Sequence, residues 1–332
     1  MKRGHYFPET ADAVEEITDT FDLLWPTAAA IWNLRWQVRG FMDTCPDATE
    51  AMLRARFVEG SRVHGTNIKR FCITKSWDEQ QANLAKGLLL SLFAIYESWC
   101  SRIVDRLSPA KGETYVKGLQ FPTTQELNAN GSPKLDGSNN PVFKGIEPSL
   151  GALTTPQSPY LVLNIVPGLR LAKKYPTGGM CHAELFIRIY RYFKEVRNCI
   201  IHEGARASKK AVDAYLDVAG VTAADLGFKE SPALNPLVLG DPVELNLRGT
   251  VGLSEVLIRL LTFLDAELAA SQAAEAVLVE KWKRQHGIGL NFPSPGPKRQ
   301  ARVNRCFKAL QFPKPSDAEA TVHFLRSKGV AF

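Results

Sequence analysis

The sequence has few cysteines, and they lack the patterns of a metal site or a disulfide framework. No two are spaced as C-x-x-C, and none combines with nearby histidines into a zinc-ligand pattern. A chain of 332 residues can bury a large core without covalent cross-links. We therefore expect reduced thiols in a cytoplasmic protein that uses no cofactor. The cysteines are Cys45, Cys72, Cys100, Cys181, Cys199 and Cys306.

The chain also lacks the long apolar runs of membrane proteins and secretory signals. Its most apolar stretch, residues 88–99, contains Glu97 and is shorter than the roughly 18 residues that a membrane-spanning helix needs. The basic N-terminal residues 1–5 are not followed by the apolar segment of a signal peptide. We expect no membrane partner.

The charge balance is basic, with 41 Lys and Arg against 34 Asp and Glu, a net charge of +7. This balance favours a polyanionic partner such as RNA. Positive charge is densest near the C-terminus, where Arg299, Arg302 and Arg305 are candidate phosphate-binding residues. Trp282 and Phe307 lie in the same segment. They either stack on unpaired bases or belong to the core beneath a solvated helix.

Apolar periodicity and capping residues predict an all-α fold. We divide it into an N-terminal helical extension (1–75), a helical bundle (76–290) and a basic helical tail (291–332). A capping box at Ser76 and Glu79 predicts a helix to about residue 107. A helix capped by Thr10 is predicted at 10–42, with a kink or break at Pro26, and a helix opened by Asp47 and Glu50 is predicted at 47–57. Other predicted helices cover residues 182–202, 208–218, a short one from 222, 254–285, 298–310, and one capped by Ser316 and Glu319.

Helical periodicity is lost between about residues 109 and 179, where turn-forming Asn-Gly, Asp-Gly and proline pairs recur. A loop of that length is uncommon inside a compact domain. We interpret the segment as an irregular insertion, in which short runs such as Tyr160–Leu163 pair as strands. The sequence leaves open whether the insertion covers a substrate or is a passive elaboration.

The predicted helix 182–202 carries the most informative residues in the chain. Asn198 and His202 lie one turn apart on its polar face, and Arg197, to one side of that face, has a side chain long enough to reach the same region. Gly204 is the expected C-terminal stop. A guanidinium, an amide and an imidazole at one helix end suit phosphodiester chemistry, because they supply positive charge, orientation and proton transfer.

The pattern Arg197-Asn198-x-x-x-His202-x-Gly204 resembles the signature of the HEPN superfamily, the helical domains of many RNases in prokaryotic defence and toxin–antitoxin systems. The resemblance implies an α-helical bundle that dimerises and brings two motifs into one cleft. It also implies metal-independent RNA cleavage, in which the ribose 2′-hydroxyl attacks the adjacent phosphate and leaves 2′,3′-cyclic phosphate and 5′-hydroxyl ends. His202 would be the general acid/base, Arg197 the charge stabiliser and Asn198 the orienting amide.

Two alternatives remain open from the sequence. The first is a non-catalytic helical module that binds nucleic acid or a protein partner through the basic tail. The second concerns the other cations of the motif helix: Arg188, Arg191 and Lys194 either guide an RNA backbone or form a solvated face.

The HEPN resemblance further implies a homodimer and an antitoxin or regulatory protein as partners, with a role in antiviral defence or growth arrest.

Overall fold

A computed structural model of the chain describes residues 4–62, 64–109, 112–172 and 179–332. It confirms the all-α fold, with 64% of residues in helices and 4% in strands. The two strands, β1 (Thr124–Gln125) and β2 (Phe143–Lys144), pair antiparallel. The α-helices are α1 (Pro8–Thr44), α2 (Glu50–Phe57), α3 (Trp77–Leu107), α4 (Gly112–Gly118), α5 (Ile146–Leu153), α6 (Pro159–Asn164), α7 (Val166–Ala172), α8 (Gly179–His202), α9 (Lys209–Leu216), α10 (Ala223–Leu226), α11 (Leu247–Leu268), α12 (Ala274–His286), α13 (Pro297–Ala309) and α14 (Ala318–Ser327).

The main hydrophobic core is built around α1, α3, α8 and α11, in which α3 and α11 each contact the other three helices. The predicted capping box starts α3: the Ser76 hydroxyl accepts from the Glu79 amide at 3.1 Å, and the Glu79 carboxylate accepts from the Ser76 amide at 2.7 Å. Among the described helices, α3 is long and apolar enough to cross a membrane, and 56% of its most apolar window is buried.

The start of α1 differs from the prediction. Thr10 does not cap the helix, which begins at Pro8; its hydroxyl instead accepts a hydrogen bond from the Trp99 indole at 3.0 Å. The fully buried carboxylate of Asp265 accepts from the backbone amides of Tyr6 and Phe7 at 2.7 and 2.9 Å. The N-terminal segment is therefore fixed to the middle of the core.

Of the kink or break predicted at Pro26, the break is wrong, because α1 continues through this residue. Proline removes the intrahelical bond to the carbonyl of Asp22. Both residues are exposed, so water can solvate that carbonyl and the helix loses little. The same helix then reaches a second hydrophobic cluster.

This second cluster forms a small unit at residues 34–75, which we call the N-terminal lobe. It joins the end of α1 to α2 and to a π-helical turn at Arg70–Thr74. The cap of α2 is Thr49 rather than the predicted Asp47. Glu50 instead accepts hydrogen bonds from two backbone amides ahead of the π-helical turn. The fully packed members are Val38, Ala48, Leu53, Ile68 and Cys72.

The segment predicted as an irregular insertion, 109–179, contains α4 to α7 in its described part, while residues 110–111 and 173–178 lie outside the described residues. The strand assignment for Tyr160–Leu163 is wrong, because this run lies in α6. The Ser158 hydroxyl caps α6 by accepting from the Leu161 amide at 3.2 Å. The sequence pattern of a four-residue apolar run fits a strand or a helix equally well. Here the cap at Ser158 favours the helix. Turns and the two-stranded sheet occupy the middle of the segment.

The C-terminal third also differs in detail. The helix predicted at 254–285 is two helices, α11 and α12, separated by residues 269–273. The last helix is capped by Asp317 rather than Ser316. Trp282 and Phe307 are completely buried, so they belong to the core and the base-stacking interpretation is wrong for them. Five cysteines are described as free thiols, and the Cys181 side chain lies outside the described part.

Candidate functional site

The motif lies at the C-terminal end of α8, as predicted. The apolar side of α8 packs against α11 and α9 and contacts α3. Gly204 ends the helix with φ of 62°, and Ala205 follows with φ of 59°. The Ala205 amide donates to the Cys199 carbonyl at 3.0 Å, which satisfies a carbonyl of the last turn. The backbone that carries the motif is thus fixed at a defined helix end.

His202 is the last residue of α8, and its side chain is exposed to solvent. It has no hydrogen-bond or ion-pair partner among the residues that the structure describes. An exposed imidazole can reach a ligand and exchange protons with it. The structure therefore excludes a histidine sealed in apolar packing.

Arg197 lies half-buried on the same helix, five residues before His202. Its Nε atom is buried and has no hydrogen-bond partner. The guanidinium carbon lies 5.8 Å from the ring centroid of Phe93 on α3. No carboxylate lies within ion-pair distance of Arg197 in the described part of the chain. A buried donor without an acceptor is costly, so this arginine has unused capacity to bind an anion.

The surroundings of Arg197 supply no negative charge from ionised hydroxyls or thiols. Burial raises the pKa of Tyr190 well above its usual value, and its hydroxyl has no partner. Burial likewise raises the pKa values of Tyr96 and Cys100 on α3. These groups stay neutral at physiological pH. The packing beneath the motif therefore leaves the guanidinium charge available.

Asn198 is oriented by a residue that the sequence analysis did not single out. Its Nδ2 donates to Oε2 of Glu195 at 3.3 Å. Glu195 is only 4% exposed and also pairs with Arg191, whose guanidinium lies 4.6 Å from the ring centroid of Phe121. In the sequence, the spacing indicates these contacts, since Glu195 is four residues after Arg191 and three before Asn198 on one helix.

The structure separates the three cations predicted to guide RNA on α8. Arg191 is committed to Glu195. Lys194 pairs with Glu97 at 3.2 Å and donates to Gln120 at 2.7 Å. Arg188 is exposed and has no partner in the described ranges. Of these three residues, Arg188 alone retains an uncommitted charge.

The predicted phosphate-binding residues of α13 also differ from one another. Arg299 is only 7% exposed, donates to the Pro293 carbonyl at 2.6 Å and pairs with Glu319. It holds α13 against neighbouring segments and is not available to a phosphate. Arg302 and Arg305 are exposed, and neither has a carboxylate partner among the described residues.

Exposed apolar side chains adjoin the motif. Ile201, Val238 and Leu239 are 43%, 61% and 63% exposed. The loop that carries the latter two is bound to the chain just after α8, because the Gly240 amide donates to the Ala207 carbonyl at 2.9 Å. These side chains and His202 thus lie at the same end of α8.

Taken together, the fold is all-α and the motif residues occupy one fixed helix end. Comparison with models of known protein families, with curated proteins and with solved structures finds no match for this chain. Within the described ranges, no group of three or more His, Cys, Asp or Glu side chains is placed to hold a metal ion.

Proposed function

We propose that this protein is an RNA endonuclease of the HEPN type that acts without a metal ion. One observation carries the proposal. The half-buried Arg197, whose Nε has no hydrogen-bond partner, lies at the same fixed helix end as the exposed His202. The other two basic residues on this part of α8, Arg191 and Lys194, are neutralised by carboxylates. An anion such as a phosphate would complete the environment of Arg197.

In the proposed reaction, the nucleophile is the ribose 2′-hydroxyl of the RNA itself. The imidazole of His202 accepts the proton of the ribose 2′-hydroxyl, whose oxygen forms a bond to phosphorus. The bond from phosphorus to the 5′-oxygen then breaks, and that oxygen receives a proton from an imidazolium. Arg197 stabilises the negative charge on the phosphorane, and Asn198, held by Glu195, orients the phosphate. The products carry a 2′,3′-cyclic phosphate and a 5′-hydroxyl.

The proposal includes a homodimer, in which two motifs share one cleft. Two imidazoles then supply the base and the acid of the same reaction. The exposed Ile201, Val238 and Leu239 support this arrangement, since apolar side chains around a site are suited to a self-complementary interface. A cytoplasmic role in phage defence or toxin–antitoxin growth arrest, with an antitoxin or regulatory protein as partner, follows from the HEPN resemblance.

The test is RNA cleavage by the purified full chain in the presence of EDTA, followed by analysis of the product ends. We expect cyclic phosphate ends. His202→Ala is expected to lower the rate by about 100-fold to 10,000-fold, and Arg197→Ala by about 100-fold or more. Both variants should retain the wild-type circular dichroism spectrum, since neither residue has a hydrogen-bond partner to lose.

Matched controls are His323→Ala and Arg326→Ala, which remove an exposed histidine and an exposed arginine from α14. Both should cleave at the wild-type rate. Cleavage that survives in His202→Ala, or that requires a divalent cation, would contradict the proposal.

The second candidate function is a non-catalytic module that binds nucleic acid. The exposed, unneutralised Arg302 and Arg305 on α13 favour it. It predicts RNA binding without cleavage, and a loss of binding in the double variant Arg302→Gln/Arg305→Gln. Because Arg299 is engaged within the fold, Arg299→Gln is not informative about this surface.

A further inference from the structure

Three tryptophans form an exposed line along α1, which we call the tryptophan stripe: Trp25, Trp32 and Trp36. Their separations of seven and four residues place them on one face of the helix. They are 49%, 41% and 61% exposed. At 1.5 Å per residue the stripe spans about 16 Å. The remaining tryptophans outside this region, Trp99 and Trp282, are completely buried.

The outer end of the stripe forms a concave slot with the start of α3. The rings of Trp32 and Trp77 are 5.1 Å apart, and those of Trp32 and Trp36 are 6.0 Å apart, both edge to face. Arg35 and Arg39 complete the lining together with Ser76, and the slot has a volume of about 260 Å³. Ring faces and guanidinium groups thus border one cleft.

The charge of the adjoining N-terminal lobe is uncompensated. Residues 34–75 contain eight Lys and Arg and four Asp and Glu, so that 8 − 4 gives a net charge of +4 out of +7 for the chain. None of the eight cations pairs with a carboxylate in the described part of the chain, although ion pairs are frequent elsewhere. The cations are Arg35, Arg39, Arg54, Arg56, Arg62, Lys69, Arg70 and Lys75.

Two of these arginines are held by the backbone, which fixes their position without cancelling their charge. Arg35 donates to the carbonyls of Phe71 and Lys75 at 3.3 and 2.8 Å. Arg39 donates to the Cys72 carbonyl at 3.3 Å and is exposed beside the stripe. Burial and the neighbouring Arg39 lower the pKa of Arg35. An anion at the slot would relieve this repulsion.

We infer that the tryptophan stripe and the cations of the N-terminal lobe form a docking surface for single-stranded RNA. Unpaired bases stack on Trp32 and Trp36, and phosphates lie against Arg39 and its neighbours. This inference deepens the proposed function, on which it rests for the class of polymer, by naming a single-stranded substrate. Exposed aromatic rings interleaved with cations are the combination that binds single strands without sequence preference.

The charges favour RNA over the other occupants of an apolar face. A second copy of this chain would place one uncompensated positive lobe against another, which is repulsive. A lipid surface is flat, whereas the slot between Trp32, Trp36 and Trp77 is concave. A single RNA strand matches both properties, because it supplies negative charge along its length and flat bases that can enter the slot.

The test measures binding separately from cleavage. The probe is a fluorescein-labelled 2′-O-methyl oligouridine of about 12 nucleotides, which lacks the 2′-hydroxyl nucleophile. Fluorescence anisotropy is recorded with the full chain carrying His202→Ala. Adding Trp32→Ala/Trp36→Ala is expected to weaken binding about 100-fold, from about tenfold for each stacked base. Trp32→Phe/Trp36→Phe should retain most of the affinity, because an aromatic face remains.

The matched control is Leu163→Ala/Leu171→Ala, which removes two exposed apolar side chains from α6 and α7 and should leave binding unchanged. Arg39→Gln should reduce the dependence of affinity on salt by about one counterion. The variants should retain the wild-type circular dichroism spectrum, because Trp32 and Trp36 lie outside both hydrophobic clusters.

Four outcomes overturn the inference. Two concern RNA: unchanged RNA binding in Trp32→Ala/Trp36→Ala, or equal affinity of the chain for a duplex of the same length. The other two concern the same double variant: dissociation of a dimer in sedimentation equilibrium, or loss of binding to phosphatidylserine vesicles while RNA binding is intact. A chain that binds the probe through the tryptophans but cleaves no RNA overturns the nuclease proposal alone.

Discussion

Arg197 and Arg299 are both arginines on amphipathic helices, and both are partly or largely buried, yet their surroundings are opposite. Arg299 is surrounded by acceptors: the Pro293 carbonyl and the Glu319 carboxylate. Arg197 has the ring of Phe93 below it and no acceptor for its buried Nε. Burial of a charge is ordinarily compensated by partners within the protein. Where the compensation is missing, a ligand is the natural source of it.

The comparison also separates two sets of basic residues that the sequence pattern does not distinguish. The first set, Arg191, Lys194 and Arg299, forms ion pairs that stabilise the fold. The second set, Arg188, Arg197 and Arg302, has no carboxylate partner in the described ranges, and we call its charges uncommitted. The distinction depends on tertiary neighbours such as Glu97 and Glu319, which lie on other helices. Function is therefore expected to follow the uncommitted set, and stability the committed set.

The largest stability effect is expected at Arg299. Arg299→Ala leaves the Pro293 carbonyl without its donor and removes the pair with the half-exposed Glu319, so it should lower the free energy of unfolding by about 2 kcal/mol. Arg197→Ala removes the contact with the Phe93 ring but no hydrogen-bond acceptor or carboxylate partner, so it should cost less, about 1 kcal/mol. Urea unfolding followed by circular dichroism measures both. Equal losses of unfolding free energy in the two variants would contradict the expected difference between Arg299 and Arg197.

A smaller effect is expected at Glu195, to which the proposed nuclease function gives a positioning role. Glu195→Ala frees the Asn198 amide and leaves Arg191 unpaired, so we expect the cleavage rate to fall about tenfold. Glu195→Gln keeps an acceptor for Asn198 and should restore most of the rate. Steady-state kinetics distinguishes the role: kcat should fall while KM changes little. If the glutamine and alanine variants are equally slow, Asn198 is not oriented through this bond.

The smallest effect is expected at the capping box of α3, away from both arginines. Ser76→Ala should lower the free energy of unfolding at neutral pH by about 1 kcal/mol. Hydrogen bonds from the Ser76 amide and hydroxyl lower the pKa of Glu79. The carboxylate therefore stabilises the fold above its unfolded pKa, and this contribution is lost as the pH falls through the folded value. Ser76→Ala keeps the amide bond and loses only the hydroxyl's part of this contribution, so the difference from wild type should shrink in acid, as measured by unfolding at several pH values.

The sequence predicted the features that depend on local pattern. The capping box at Ser76, the motif helix and its stop at Gly204 follow from residues within a few positions of one another. Features that depend on burial were missed, and so was one local cap. Pro26 is tolerated because its side of α1 is exposed, and the short apolar run 160–163 is helical because Ser158 caps α6. Likewise, the spacing of Asn198 cannot reveal that Glu195 is buried beside it.

One helix, α1, contributes Ile17 and Leu24 to the main core and Val38 to the N-terminal lobe. The two clusters are consequently joined by a continuous stiff rod instead of a flexible linker. A swivelling motion of the lobe would have to bend this rod, and the weakest point is Pro26, where one backbone bond is absent. An RNA strand bound along the outer half of α1 would thus have a fixed orientation relative to the main core, because the continuous helix α1 sets it.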